Sequence, residues 1–217
     1  MATYADLEKR VMDLINRTDC TNALARQFIQ DALRKTQRTI RLPSLEKVLQ
    51  ISVGTTPTVQ YNQTNGVVII PQDFISMVYA YTKDGVIKRV PMTKFIELNA
   101  SVSKSGLPKY YTRVQNTFHL KPIPQTGHEI DIVYQGEDDP LVNGTDTNTF
   151  STVAPDLLVY GACIFAADYF NDERKGNFAA MYDQIQRELQ NMVDDAESAT
   201  IDASVQPAMS YPTDIIN

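Results

Sequence analysis

Pro155-Asp156-Leu157-Leu158-Val159-Tyr160-Gly161-Ala162-Cys163-Ile164-Phe165-Ala166-Ala167-Asp168-Tyr169-Phe170 is the stretch on which the fold turns. Pro155 suits the first turn of a helix, where its missing N–H would have no partner anyway, and Asp156 suits the positive end of the helix dipole. From Leu157 to Phe170 the residues are apolar nearly all round. A helix without a polar face must be enclosed by other elements. Its most apolar run, Leu157 to Ala167, is too short to cross a bilayer, which takes roughly 20 apolar residues. The stretch therefore predicts a central core helix, ended by Asn171-Asp172, and the rest of the chain has to supply its walls.

Candidate walls lie at both ends of the chain. Downstream, a helix is predicted from Glu173 to Ser198, with Phe178, Met181, Tyr182, Ile185, Leu189, Met192, Val193 and Ala196 as one apolar stripe. Upstream, Tyr4, Leu7, Val11, Leu14 and Ile15 recur three or four residues apart, which predicts a helix from Tyr4 to Asn16. Arg17-Thr18-Asp19 breaks it. A second helix runs from Thr21 to Arg41, with Leu24, Phe28, Ile29, Ala32, Leu33, Thr36 and Ile40 as its apolar face, and Pro43 ends it. Arg26, Arg34, Arg38 and Arg41 cluster on the opposite side at about 100° per residue, as a basic helix face. That face reads either as ordinary solvated charge or as a surface for an acidic partner or for DNA passing nearby.

Between these ends the residue pattern changes. From Lys47 to Tyr134 the period is nearer two and the residues are rich in Val, Ile, Thr and Tyr. Strands are predicted at Val48–Val53, Val67–Ile70, Phe74–Thr82, Val86–Val90, Tyr110–Val114, Thr117–Lys121 and Ile130–Gln135. Asn65-Gly66, Asp84-Gly85 and Gln115-Asn116 serve as turns. Met92 to Asn99 reads as a short helix, and Glu137 to Thr152 as a polar loop. Helices separated by so long an insertion still have to meet around the central one. The fold class is thus α+β. A helical bundle forms from the N- and C-terminal helices (1–44 and 153–198), an antiparallel β-rich domain is inserted at 45–152, and 199–217 is an extended C-terminal arm. In that arm Ile201, Val205, Met209, Tyr211, Ile215 and Ile216 are scattered apolar anchors that can order on a partner. The alternative for this segment is a frayed terminus.

The totals narrow the function. Hydrophobic residues are 43% and charged residues 21% of the 217, which is ordinary for a globular protein, and the net charge is −6. A dedicated nucleic-acid binder is usually strongly basic, so the balance argues against one. The two cysteines, Cys20 and Cys163, form no Cys-x-x-Cys and read as reduced, buried thiols in a reducing compartment. The N-terminus lacks the charged leader and apolar run of a signal peptide. The two histidines, His119 and His128, have no metal-binding spacing between them. The carboxylates of Asp138-Asp139, of Asp168, Asp172 and Glu173, and of Asp194, Asp195 and Glu197 read as turns and solvated surface. No glycine-rich phosphate loop or nucleophile elbow occurs. These absences point away from an enzyme, and no cofactor, metal or catalytic residue is implied.

Several strings in order carry a resemblance. Ile70-Pro71-Gln72-Asp73-Phe74-Ile75 leads into a strand and then into Lys83-Asp84-Gly85. Tyr111-Thr112-Arg113-Val114 is followed by Phe118-His119-Leu120-Lys121-Pro122-Ile123-Pro124. Ala154-Pro155-Asp156-Leu157-Leu158-Val159-Tyr160-Gly161-Ala162 is followed by Asp172-Glu173-Arg174. With the helix–β–helix order, these strings resemble the head-to-tail adaptor family of tailed bacteriophages, also called head–tail connectors or, in short-tailed phages, tail tubular proteins. The resemblance covers Asp6 to Ala196. It implies a virion protein at the head–tail interface, present in the host cytoplasm during assembly. It also implies a homo-oligomeric ring, generally of twelve copies, beneath the portal protein. In such a ring the helical part contacts the portal, the β-rich part faces tail or nozzle proteins, and the C-terminal arm reaches into the portal. DNA passes through the channel without specific binding, and no membrane is involved. Two alternatives stay open: a head- or tail-completion protein that never touches the portal, and a nucleic-acid-binding module using the basic helix face.

Overall fold

A computed structural model describes residues 1–54, 61–62, 65–101 and 104–200. The first helix, α1 (Tyr4–Ile15), opens with a capping box. The Asp6 N–H donates to Thr3 Oγ1 at 3.2 Å, and the Thr3 N–H donates to Asp6 Oδ2 at 2.9 Å. Asn16 turns left-handed (φ 50°) and stops it. Helix α2 (Asn22–Thr39) starts from Thr21, whose hydroxyl accepts the Leu24 N–H. It ends two residues before Arg41, because Ile40 is already extended (φ −109°, ψ 135°).

The central helix, α5 (Pro155–Tyr169), is enclosed as the sequence predicts. Leu157, Leu158 and Val159, then Ala162, Cys163 and Ala166, are all fully buried. They share one core with Leu7, Val11 and Ile15 of α1, with Ala25, Ile29 and Ala32 of α2, and with Phe178, Tyr182 and Leu189 of α6 (Lys175–Thr200). Gly161 is where α5 comes closest to its neighbours. A Cβ there would lie 3.0 Å from the Ala32 Cβ and 3.1 Å from the Tyr182 ring, so a side chain at this position requires its neighbours on α2 and α6 to give by a few tenths of an ångström. Beside it the Tyr182 and Thr36 hydroxyls meet at 3.1 Å, both buried and 146 positions apart in sequence.

The β-rich middle forms two sheets with one core between them. In the first, β1 (Glu46–Ser52) pairs with β9 (Glu129–Gly136), β9 with β4 (Phe74–Thr82), and β4 with β5 (Gly85–Val86), all antiparallel. The second sheet runs in the order β2 (Tyr61–Asn62), β3 (Val67–Ile69), β8 (Thr117–Lys121), β7 (Tyr110–Val114), β6 (Lys88–Arg89). Period-two alternation sends Leu49, Ile51, Ile130, Ile132 and Tyr134 inward from the first sheet to meet Val68, Phe118, Leu120 and Tyr111 of the second. The helix α3 (Met92–Ser101) follows β6.

Two local expectations change. The strand predicted at Val86–Val90 is divided at Ile87. Val86 pairs with Tyr81 in the first sheet, while Lys88 and Arg89 pair parallel to Tyr110 and Tyr111 in the second. Ile87, only 2% exposed, fills the corner between the sheets, and this switch makes the pairing of the second sheet mixed. The segment predicted as a polar loop, Glu137–Thr152, contains the start of a short helix, α4 (Thr149–Val153). Its polar residues are caps. Asn148 and Ser151 form a capping box, and the Asp138 carboxylate accepts the N–H groups of Thr149 (3.2 Å) and Phe150 (3.0 Å). Phe150 then enters the helical core with no exposed surface.

Among the described residues, polar contacts tie the two cores together. Gln135 Nε2 donates to the Leu42 carbonyl at 3.3 Å, and the Asp138 N–H donates to Gln37 Oε1 at 3.2 Å. Beside them, Lys47 Nζ bonds Asp73 Oδ2 at 2.7 Å and the Glu137 carbonyl at 3.0 Å.

Candidate functional site

The four arginines of the predicted basic helix face go to three places. Arg26 turns to α1, its Nε 2.8 Å from Glu8 Oε2 and its guanidinium 5.5 Å from the centre of the Tyr4 ring. Glu8 is 4% exposed, so Arg26 neutralises a buried carboxylate between two helices. Arg34 and Arg38 stay together in solvent. Arg38 Nε donates to the Arg34 carbonyl at 2.7 Å, and Arg34 lies 3.4 Å from Asp31. With Lys35, Thr39 and Phe165 they line an open depression of about 420 Å³ between α2 and α5.

Arg41 leaves the helical surface altogether. It lines a cleft of about 230 Å³ against the β-rich core, together with Arg89 of β6 and Arg113 of β7. Phe74, Met77, Tyr111 and Phe118 form its floor and walls, and none of its lining residues is acidic. The Phe74 ring packs edge-on to Phe118 at 5.6 Å, and Phe118 edge-on to Tyr111 at 5.7 Å. The Arg113 guanidinium sits 5.2 Å from the Phe74 ring centre, and its Nε donates to the Gln115 carbonyl. All three arginines are exposed, and among the described residues none forms an ion pair. Arg89 and Arg113 also wall an adjoining depression of about 420 Å³ with Val90, Pro91, Met92 and Thr112. Sequence reasoning missed Arg89 and Arg113. They belong to strands far apart in the chain, and only the parallel pairing of Arg89 with Tyr111 brings them together.

The ionisable groups that looked catalytic by type are engaged in local structure. His119 Nε2 lies 3.2 Å from Thr117 Oγ1, and His128 Nδ1 accepts the Gln125 N–H. Asp146 accepts the N–H groups of Val142 and Asn143. Asp168 bonds Lys175. Cys20 and Cys163 are free and buried, and burial pushes the Cys163 thiol up to about 12. Among the described residues no three His, Cys, Asp or Glu side chains converge closely enough to hold a metal ion.

Asp172 does structural work at the turn between α5 and α6. It holds the Arg174 guanidinium at 2.6 Å, and Arg174 in turn donates to the Leu14 and Ile15 carbonyls at the end of α1. The side-chain bond from Arg174, followed by its backbone N–H, lowers the Asp172 carboxyl to about 2. An unfolded Asp titrates near about 4, so the clamp contributes fully above that pH and is lost as pH falls through the folded value. Stability is therefore expected to decline between about pH 5 and pH 2, with a shallower decline in Asp172→Asn. Urea unfolding across that range checks it, and identical acid limbs in the two proteins would remove the clamp.

The predicted arm residues Ile201, Val205, Met209, Tyr211, Ile215 and Ile216 lie outside the described residues. No described helix is long and apolar enough to cross a membrane.

The fold and its surfaces define a two-core scaffold whose described polar residues cap, clamp and line open clefts. The model of the SU10 adaptor protein family matches residues 2–207, nearly the whole chain, and the chain belongs to that family. It is a bacteriophage adaptor with a structural role in the virion. No curated protein matches the chain.

Proposed function

We propose that this adaptor forms a closed homo-oligomeric ring, with the twelve copies usual for head-to-tail adaptors, beneath the portal protein. The ring extends the DNA channel and offers tail or nozzle proteins their attachment site. The helical unit (1–44 and 153–198) faces the portal, the inserted unit (45–152) faces the tail, and 199–217 docks as an arm. DNA passes without specific binding, and the protein carries out no catalysis. Residues 2–207 matching one adaptor family carries this reading, because a single family model spans both cores and the start of the arm. The division into a helical core and a β-rich core supports it, since an adaptor has to meet different proteins at its two ends. The net charge of −6 suits a channel wall to which DNA does not adhere.

Co-sedimentation of the full-length chain with purified portal rings, followed by electron microscopy of the complex, tests the reading. Rings that carry the adaptor in rotational register are expected, with weaker loading after deletion of 199–217. Binding to tail components but not to portal would make the protein a completion factor instead. Unchanged loading without 199–217 would reject the arm as a docking element. Tight, salt-resistant binding of free subunits to duplex DNA would overturn passive passage.

A further inference from the structure

We propose that the arginine cleft formed by Arg41, Arg89 and Arg113 is one half of the junction between copies of this chain, and that its occupant is the exposed face of α6 on a second copy. The inference rests on the ring reading above and deepens it, because it says which surfaces close the ring.

The cleft is a site without a partner in the isolated chain. Three arginines line the recess, with the Arg113 guanidinium over the Phe74 ring, no acid lines it, and none of the three is ion-paired among the described residues. Exposed arginine forks beside aromatic rings suit carboxylates, which they bind in bidentate fashion, together with an apolar group to cover the rings. The chain has 26 acidic and 20 basic residues, so a copy of itself is a ready source of carboxylates.

Helix α6 carries the matching surface. At about 100° per residue, Met181, Glu188, Met192 and Asp195 fall within one narrow arc. Met181 is 40% and Met192 69% exposed, and Glu188 and Asp195 are exposed as well. Methionine thioethers on an exposed helix stripe are adaptable apolar contacts for aromatic rings. Alternating thioethers and carboxylates on one helix stripe complement alternating aromatic rings and guanidiniums in one cleft. Glu188 and Asp195 are separated by about 10 Å along the axis, enough for two different arginines to be engaged at once. The cleft belongs to the β-rich core and the stripe to the helical core. The contact is therefore heterologous, the kind that closes into a ring. Duplex DNA fits less well, because the aromatic floor offers its phosphates no contact and the net charge of −6 opposes it.

A charge swap tests the junction in the full-length chain. One variant reverses the cleft (Arg41→Glu with Arg89→Glu) and the other reverses the stripe (Glu188→Lys with Asp195→Lys). In a heterologous junction each variant alone opposes like charges, whereas in an equal mixture every contact between unlike copies restores opposite charges. Self-association is measured by sedimentation velocity of the free chains and by loading of chains onto portal rings. Each variant alone is expected to associate about a hundred-fold more weakly than the wild type, and the mixture to recover most of the loss. Recovery also proves that both variants are folded. The proposal is overturned by variants that associate like the wild type, by a mixture no better than its parts, or by a wild type that does not self-associate in either setting. A cleft variant that loses only affinity for a duplex oligonucleotide would assign the recess to phosphate and overturn it too. Wild-type binding to portal rings reports the adaptor reading separately, so single copies that bind portal without cooperating would sink this junction alone.

Discussion

Replacing Tyr182 with Ala is expected to lower the unfolding free energy by about 3–5 kcal/mol, the range for deleting a buried aromatic ring. Tyr182 is 1% exposed and packs on the helix surface left open by Gly161. The substitution opens a cavity at the meeting point of α2, α5 and α6 and leaves the buried Thr36 hydroxyl without the partner it has at 3.1 Å. Lys35, whose Nζ lies 4.7 Å from the ring centre, loses its cation–π contact as well. Tyr182→Phe separates these effects. It keeps the ring and orphans one hydroxyl, which costs about 1–3 kcal/mol. Urea unfolding followed by circular dichroism measures both variants. Typical domains are stable by about 5–15 kcal/mol, so the Ala variant should unfold at a much lower urea concentration. A loss below about 1 kcal/mol would mean that α6 does not complete the helical core, which contradicts its packing on α5.

The second large effect is expected in the other core. Phe118→Ala removes a ring that is 2% exposed and that stacks edge-on with both Phe74 and Tyr111, at an expected cost of about 3–5 kcal/mol. It also removes part of the floor of the arginine cleft. Hydrogen exchange gives the most informative readout, since it reports each core separately. Amides of β8 and β9 should lose protection, while those of α5 keep theirs, because the two cores are separate clusters. Equal loss in α5 would show that the chain opens as one cooperative unit, and the division into 1–44 with 153–198 and 45–152 would then fail as a description of stability.

Much of this architecture was legible in the residues. Pro155 and the apolar run after it mark the central helix, because a helix without a polar face has only one place to go. Phe74–Thr82, Tyr110–Val114 and Thr117–Lys121 are rich in β-branched and aromatic residues, and these strands begin and end where predicted. Ile87 shows where alternation fails as a guide. Nothing in Val86–Val90 distinguishes one straight strand from two short ones in different sheets, because each half has the same local pattern. The polar run before α4 misled for a related reason. Asp138, Asn148 and Ser151 look like loop residues until their oxygens are seen to accept the N–H groups that open a helix.

The charged surfaces were less legible than the elements. Arg26 and Arg41 share a helical periodicity with Arg34 and Arg38. A buried Glu8 claims the first, however, and an extended backbone at Ile40 carries the last to the β-rich core. The sequence by itself determined most of the element types, the enclosed central helix and the family, because periodicity, caps and ordered strings are local properties of the chain. Only the tertiary structure decided which charges converge. Arg41, Arg89 and Arg113 are separated by tens of residues and brought together by a strand that changes sheets, and no local pattern encodes that pairing.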